Sequence, residues 1–410
     1  MRILLSAYAC APDTGSEPGV GWRWAVAMNR SGHRLVVVTR GEVEAAVEAA
    51  RAADPEVRRI EFVYIGTPRG HRLAHRIKPL FPLYYMLWQW RAARRMERIH
   101  RRDPFDVVHH LTYGGVRLPS FMGRLGARFI LGPLGGGEQM PPNLLRTLPW
   151  PAYVKEMARI LSNRWVRVDP LLRRMFRQAD EILVKTDETA RLVPDDCRHK
   201  LRQHFEIGVT MPDGEPAAAS DVPRPLPRPL RRPLRLLFVG RFLYWKGGDL
   251  ALRAFAALLR DRPHAELTFV GQGPEGDRWR RLAEALGVAD KVRWVPWMAQ
   301  PQLHATWRSQ DVFLFPSLHD SSGNVVLEAL AHGLPVVCLA LGGPGRMVGV
   351  GCGFAVEAAE GTPDHVAGRL ANALARLYDD PDLRHALSEG ARARAALQSW
   401  SAQVAGVYDT

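Results

Sequence analysis

The sequence predicts an α/β protein made of two parallel-sheet domains of similar size. Three observations carry this. Short β-branched or apolar runs alternate with helical stretches, the pattern of βα units feeding a parallel sheet. The chain has 410 residues, more than one average domain. The alternation stops once, at a proline-rich stretch without periodicity, and then restarts.

Taken in order, the strand candidates of the first half are RILLSAYA, RLVVVTR, IEFVYIG, DVVHHLT, RFILGPL and EILVKT. The opening MRILLSAYAC has one Arg and a short apolar run. It reads as a buried first strand rather than a secretion or lipoprotein signal. Residues 216–233, PAAASDVPRPLPRPLRRP, read as an extended, fairly stiff linker. Then come LRLLFVGRF, AELTFVG, VRWVPW, DVFLFPS and PVVCLA, with helices such as DLALRAFAALLRD between them. The expected division is a first domain over 1–215, the linker, a second domain over 234–392, and a terminal helix over 393–410 that returns to the first domain. In open parallel sheets ligands bind beyond the carboxyl ends of strands, so a cleft between two such domains is the expected site.

Apolar residues make up 47% and charged residues 24%, the balance of a globular chain with a sizeable core. Cys10, Cys197, Cys338 and Cys352 are scattered without CxxC spacing. That argues against a disulfide framework or zinc site and fits a reducing, cytoplasmic compartment. No run of about 18 apolar residues exists to span a membrane. The net charge of +14 implies acidic partners. No helix-turn-helix, zinc finger or RNA-binding aromatic motif is present, so nucleic acid is not the expected one. Residues 71–102 set Arg and Lys beside a dense block of Phe, Tyr and Trp. This suits the surface of an anionic bilayer, or a core helix with a solvated basic face. Asp380-Pro-Asp382 reads as a helix cap, and no metal is required.

Six stretches carry chemistry, three in each half. In FVGRFLYWKGGDLALRAF a strand ends at Gly240, and Arg241 and Lys246 follow on the loop. Two cations there can neutralise a diphosphate, Arg by a fork and Lys as a point charge. In VGQGPEG, Gly271, Gly273 and Gly276 spell GxGxxG, but Asp290 precedes the next strand instead of ending it. A glycine turn that admits the base of a nucleotide fits better than a nicotinamide site. In HDSSGNVVLEALAHGLPVV a polar turn follows a strand and opens a helix near Gly323, Asn324 and Val325. Its first N–H groups suit a phosphate, and Glu328, one turn deeper, suits a ribose diol. In the first half, Gly15 and Gly19 open the loop after strand one, and His109 and His110 stand near a strand's carboxyl end. Glu138 sits on a second glycine-rich exit, LGPLGGGEQ, where it could meet substrate.

Together these motifs resemble the retaining nucleotide-sugar glycosyltransferases of family 4, which have the GT-B fold: two Rossmann-like domains facing a central cleft. GRFLYWKGGDLALRAF, FVGQGPEG and FPSLHDSSGNVVLEALAHGLPVV stand in that family's order and spacing, and GSEPGVGW, HHLTYG and GPLGGGE look like one bacterial branch of it. The resemblance implies roles. Arg241 and Lys246 would hold the donor diphosphate, Gly15 and the amides of Gly323, Asn324 and Val325 would lie near the phosphates, and Glu328 would bind the donor ribose. His110, or its neighbour His109, matches the family's His beside the donor sugar. Asp320 stands where the family has Glu, so its carboxylate sits about 1.5 Å further back. The function implied is transfer of a sugar from a nucleotide diphosphate-sugar to a lipid-linked or saccharide acceptor, without metal or cofactor. The setting implied is cell-envelope or polysaccharide biosynthesis on the inner face of a membrane. The alternatives are a catalytically silent, membrane-associated GT-B binding protein and a nucleotide-sugar epimerase.

Overall fold

The computed structural model describes residues 1–66, 80–212, 233–298 and 300–409. Residues 71–79 of the basic-aromatic segment, and all of the expected linker except Pro233, lie outside them. The chain forms two units. One comprises Met1–Gly137, Ile160–Gly208 and Trp400–Thr410; the other comprises Glu138–Arg159 and Val209–Ser399.

In the first unit seven strands pair in parallel: β1 (Arg2–Ser6), β2 (Arg34–Arg40), β3 (Glu61–Ile65), β4 (Val107–His110), β5 (Arg128–Leu134), β6 (Glu181–Val184) and β7 (Leu201–Gln203). Their spatial order is β3-β2-β1-β4-β5-β6-β7. Every residue of β1 and β4 is buried, because parallel sheets are covered on both faces. Helices α1 (Ser16–Arg30), α2 (Phe81–His100), α3 (Trp150–Val166, which begins in the second unit) and α4 (Pro170–Gln178) flank it. Tyr8, Trp88, Met96, Phe129 and Phe176 belong to one apolar core. The terminal helix Trp400–Tyr408 also packs here. Trp400 lies against Gly208, where a Cβ would come within 2.8 Å of its ring. Residues 381–396 form a separate helix in the second unit.

The second unit carries six parallel strands: β8 (Leu234–Val239), β9 (Ala265–Val270), β10 (Val292–Val295), β11 (Val312–Phe315), β12 (Val336–Leu339) and β13 (Gly353–Val356). Their order, β10-β9-β8-β11-β12-β13, is that of a Rossmann sheet. Helices α5 (Gly248–Asp261), α6 (Gly276–Ala285) and α7 (Asn324–Ala331) belong to it. Its aromatic core is tight, with Phe238 and Phe269 centroids 4.7 Å apart and Trp279 packed on both. Glu138–Arg159 folds with this unit although it lies in the first half of the sequence. All four cysteines are free and buried. Among the described residues no helix is long and apolar enough to cross a membrane.

Candidate functional site

Where strand order reverses in a doubly wound sheet, a crevice opens outside the carboxyl ends of the two central strands. In the second unit those strands are β8 and β11, and the sequence's strongest motifs follow them directly. Arg241 is exposed on the loop after β8 and makes no ion pair among the described residues. Lys246 ends a short turn, Tyr244–Lys246. The next residue, Gly247, has φ +75°, and a Cβ there would stand 1.9 Å from the Pro316 carbonyl oxygen, so only glycine lets the two loops meet. The contact brings Lys246 to Asp320. Its ammonium donates to Asp320 Oδ2 and lies 5.2 Å above the Phe315 ring.

The turn bearing Asp320 is held from several sides. Gly343 N donates to the Asp320 carbonyl at 2.7 Å, and Gly342 takes φ +53° to allow it. Ser321 Oγ donates to Glu138 Oε2 at 2.6 Å, and Arg159 lies 3.6 Å from the same carboxylate. Glu138 is 1% exposed. The sequence placed it as an acceptor contact; the structure places it as a buried anchor for the Asp320 turn. His319 Nε2 meets Glu156 Oε1 at 2.9 Å, and Tyr244 Oη donates to the same oxygen at 2.8 Å. His319 also stacks on Trp245, centroids 5.5 Å apart. Burial pushes the Glu156 carboxyl up, but the hydrogen bonds from His319 and Tyr244 outweigh it and hold it below the usual range. Burial and the neighbouring Glu156 raise Tyr244 well above an ordinary phenol. Glu156 thus ties the loop after β8 to the loop after β11.

Gly323 caps α7 in the left-handed region, with φ +74°, and is buried where a Cβ would stand 3.0 Å from Pro344 Cγ. Asn324 and Val325 are half-buried at that start, and so is Glu328 one turn deeper. The GxGxxG stretch has a packing explanation. A Cβ on Gly271 would stand 2.0 Å from the Gly240 oxygen, and one on Gly273 2.5 Å from the Phe242 oxygen. These glycines let the β9 exit lie against the β8 exit.

In the first unit the central strands are β1 and β4. Gly15 is exposed at the N-cap of α1, and Gly19 is buried where a Cβ would lie 2.0 Å from the Thr14 oxygen. Asp13 and Ser16 both take positive φ, 53° and 55°, so the loop is strained. Glu17 accepts from Tyr113 N at 2.5 Å, and burial raises its pKa against the pull of Lys185. Lys185 itself pairs with Glu206 at 2.6 Å. His110 is buried at the end of β4. Burial pushes its pKa down to about 4, and its Nδ1 has no hydrogen-bond partner among the described residues. His109 is different. Its Nδ1 meets Tyr408 Oη at 2.5 Å and its Nε2 meets the Gly132 carbonyl at 2.7 Å, so both nitrogens are spent on the core. Burial lowers its pKa to about 3. Glu17, Lys185, Glu156 and His319 were not singled out from sequence. The only cue was a charged residue inside an otherwise apolar or glycine-rich stretch.

Asp380 Oδ1 accepts from Leu383 N at 2.8 Å and caps the following helix, the role read from the sequence.

Comparison with known proteins defines the class. Residues 14–205 match the glycosyl transferase 4-like domain, and residues 228–394 match the glycosyl transferases group 1 family. The chain belongs to this family of group 1, family 4 glycosyltransferases. It is similar to a D-inositol 3-phosphate glycosyltransferase of Thermobispora bispora, 39% identical over 181 residues, which are 42% of this chain and 41% of that protein. A counterpart from Kineococcus radiotolerans is 38% identical over 180 residues, 41% of each. The match therefore spans well under half the length of these relatives. Among solved structures, sucrose-phosphate synthase from Thermosynechococcus elongatus shares the fold at a TM-score of 0.62 and 17% identity, over 100% of this chain and 97% of its own. WaaG, a glycosyltransferase involved in lipopolysaccharide biosynthesis, does so at 0.58 and 18%, over 99% and 98%. The fold is GT-B, as the sequence implies.

Proposed function

We propose that this chain transfers a sugar, with retention of configuration, from a nucleoside diphosphate-sugar to a saccharide or lipid-linked acceptor in cell-envelope or polysaccharide biosynthesis. The observation that carries the reading is that Arg241, Lys246 and the start of α7 all follow the carboxyl ends of the adjacent strands β8 and β11. Negative charge develops on the leaving diphosphate, and two cations with a helix N-terminus are what that charge needs. Glu328, one turn into α7, is set to take the ribose hydroxyls, and the Gly271 turn to admit the base. On binding, the diphosphate takes Lys246 from Asp320, freeing that carboxylate for a sugar hydroxyl. In the first unit, His110 stays neutral and offers a ring nitrogen to a hydroxyl, beside the loop of Gly15 and Gly19. Because Arg241 and Lys246 meet the diphosphate charge, the reaction as proposed uses no metal or cofactor.

A membrane-near setting is part of the proposal. One side of α2 is core, with Tyr85, Trp88, Ala92 and Met96 buried. The other exposes Leu83, Leu87 and Trp90, then Arg91, Arg94, Arg95 and Arg98. Apolar insertion beside a basic run suits an anionic lipid surface on the cytoplasmic side.

The test is a thermal-shift screen of nucleoside diphosphates and their sugars, followed by product analysis with the donor that binds. The reading expects a shift that Lys246→Ala removes, and transfer with the donor's anomeric configuration kept. Binding without turnover of any donor would favour the silent-protein reading, for which the one favourable observation is the Lys246–Asp320 pair in place of a Glu-bearing motif.

A further inference from the structure

Helix α3 has a mixed inward side, on which polar groups are buried beside Ala152 and Val166. Glu156 holds Tyr244 and His319, Arg159 Nε donates to the Glu138 carbonyl at 2.9 Å, and Asn163 Nδ2 donates to the Gly137 carbonyl at 3.2 Å. Its outward side carries Trp150, Val154, Leu161 and Trp165, one stripe at helical spacing, with Trp150 74% and Trp165 63% exposed. The stripe continues through Val168 and Leu171, and these six are among fourteen large apolar residues that stand exposed in the described chain. A water-facing helix shows the reverse pattern, and an apolar patch of this length marks an interaction surface. The exposed charges on α3, Lys155 and Arg164, are both basic.

The stripe ends at an open pocket of about 660 Å³, lined by Val168, Pro170, Arg173, Arg174, Arg177 and Gln178. Asp196 lies 3.0 Å from Arg177 and 3.8 Å from Arg173, so one carboxylate is shared by two of the three guanidinium groups that line the pocket. Arg174 makes no ion pair among the described residues, and Arg173 Nε is buried without a hydrogen-bond partner. Guanidinium forks match phosphate oxygens.

We propose that the part of α3 and α4 within the first unit, Leu161, Trp165, Val168 and Leu171 with this pocket, forms a docking surface for an anionic phospholipid bilayer: these apolar side chains enter the interfacial layer, and Arg173, Arg174 and Arg177 take headgroup phosphates. This rests on the membrane-near reading above but names a different surface from α2. The basic rim favours an anionic partner over a second copy of a chain that itself carries +14.

The experiment is flotation of the full chain with phosphatidylcholine vesicles, with and without phosphatidylglycerol, at low salt. Four proteins are compared: wild type, Leu161→Glu/Trp165→Glu, Arg174→Glu/Arg177→Glu, and the α2 variant Leu87→Glu/Trp90→Glu. All the changed residues are exposed, and an unchanged melting curve in the absence of vesicles confirms folding. The proposal expects binding only to phosphatidylglycerol vesicles, weakened at least about tenfold by each of the first two variants. If only the α2 variant loses binding, this surface is wrong while the membrane reading stands. If wild type fails to bind, both fall. A dimer in solution that Leu161→Glu/Trp165→Glu converts to monomer, without vesicle binding, overturns the proposal in favour of a second copy. A thermal shift with inorganic phosphate that needs Arg174 and Arg177, again without vesicle binding, overturns it in favour of free phosphate.

Discussion

Replacing Glu156 by alanine removes the acceptor shared by Tyr244 and His319, at 2.8 and 2.9 Å, from a position 2% exposed. A buried hydrogen bond to a charged group contributes about 1.5–3 kcal/mol, and leaving its partner unpaired costs the desolvation of that partner. Two such bonds ending on one oxygen put the loss at about 3–5 kcal/mol, the range for breaking a buried charged pair. Glu156→Gln keeps an acceptor oxygen and the shape but not the charge, and is expected to lose about half as much. Urea unfolding followed by circular dichroism reads both, with constant m as the check that only stability changed. Tyr244 and His319 sit in the turns that carry Lys246 and Asp320, so the same variants are expected to raise the donor KM more than they lower kcat. The pH dependence has a definite sign. The folded carboxyl is held below its unfolded value of about 4.3, so its contribution is complete above that pH and is lost as pH falls through the folded value. The difference between wild type and Glu156→Ala therefore shrinks at pH 3. A cost under about 1 kcal/mol at pH 7, or a difference that does not shrink in acid, would refute the role of Glu156 as the tie between the two loops.

Lys246→Ala is expected to lower kcat by about 10²–10³, the loss typical of a group that meets developing charge, and initial rates at saturating donor check this. Activity is expected to survive excess EDTA; its loss and recovery with a divalent ion would refute metal-independent transfer. Burial lowers His109 to about 3 and His110 to about 4. The unfolded chain takes up these protons near pH 6.5 while the folded chain does not, so the two residues together lower stability as pH falls from roughly 6 to 4, and urea midpoints of wild type and His109→Gln compared across that range are expected to converge in acid. Gly271→Ala forces a side chain at φ +139°, 2.0 Å from the Gly240 oxygen, and is expected to cost about 2–4 kcal/mol in the same unfolding assay.

How much of this was legible follows from what each residue does. Of the thirteen strands among the described residues eleven read directly, because each carries a run of apolar or β-branched residues. The two that did not, β7 and β13, are edge strands: LRQ has no apolar run, and GFAV opens on glycine. Arg241, Lys246 and the 319–324 turn were legible because charge and glycine directly after an apolar strand have few other uses. His109 and His110 were not separable by sequence. Neighbours in a strand point to opposite faces, and only the fold shows which one meets Tyr408 and Gly132. Glu156 was hidden for a related reason. An amphipathic period reads the same whether its apolar side is turned in or out, and in α3 Glu156 and Asn163 are buried while Trp150, Leu161 and Trp165 are exposed. That inversion bears on the one altered motif position. Asp320 is a methylene shorter than the family's Glu, yet its turn is pinned by Glu138 and Glu156, both from Glu138–Arg159, a segment of the first half of the chain. A shorter side chain on a rigid turn would meet a ligand at a fixed, more withdrawn point, so on the proposed function Asp320 is expected to select among sugar hydroxyls, and Asp320→Glu to change which donor sugar is used rather than simply raise the rate.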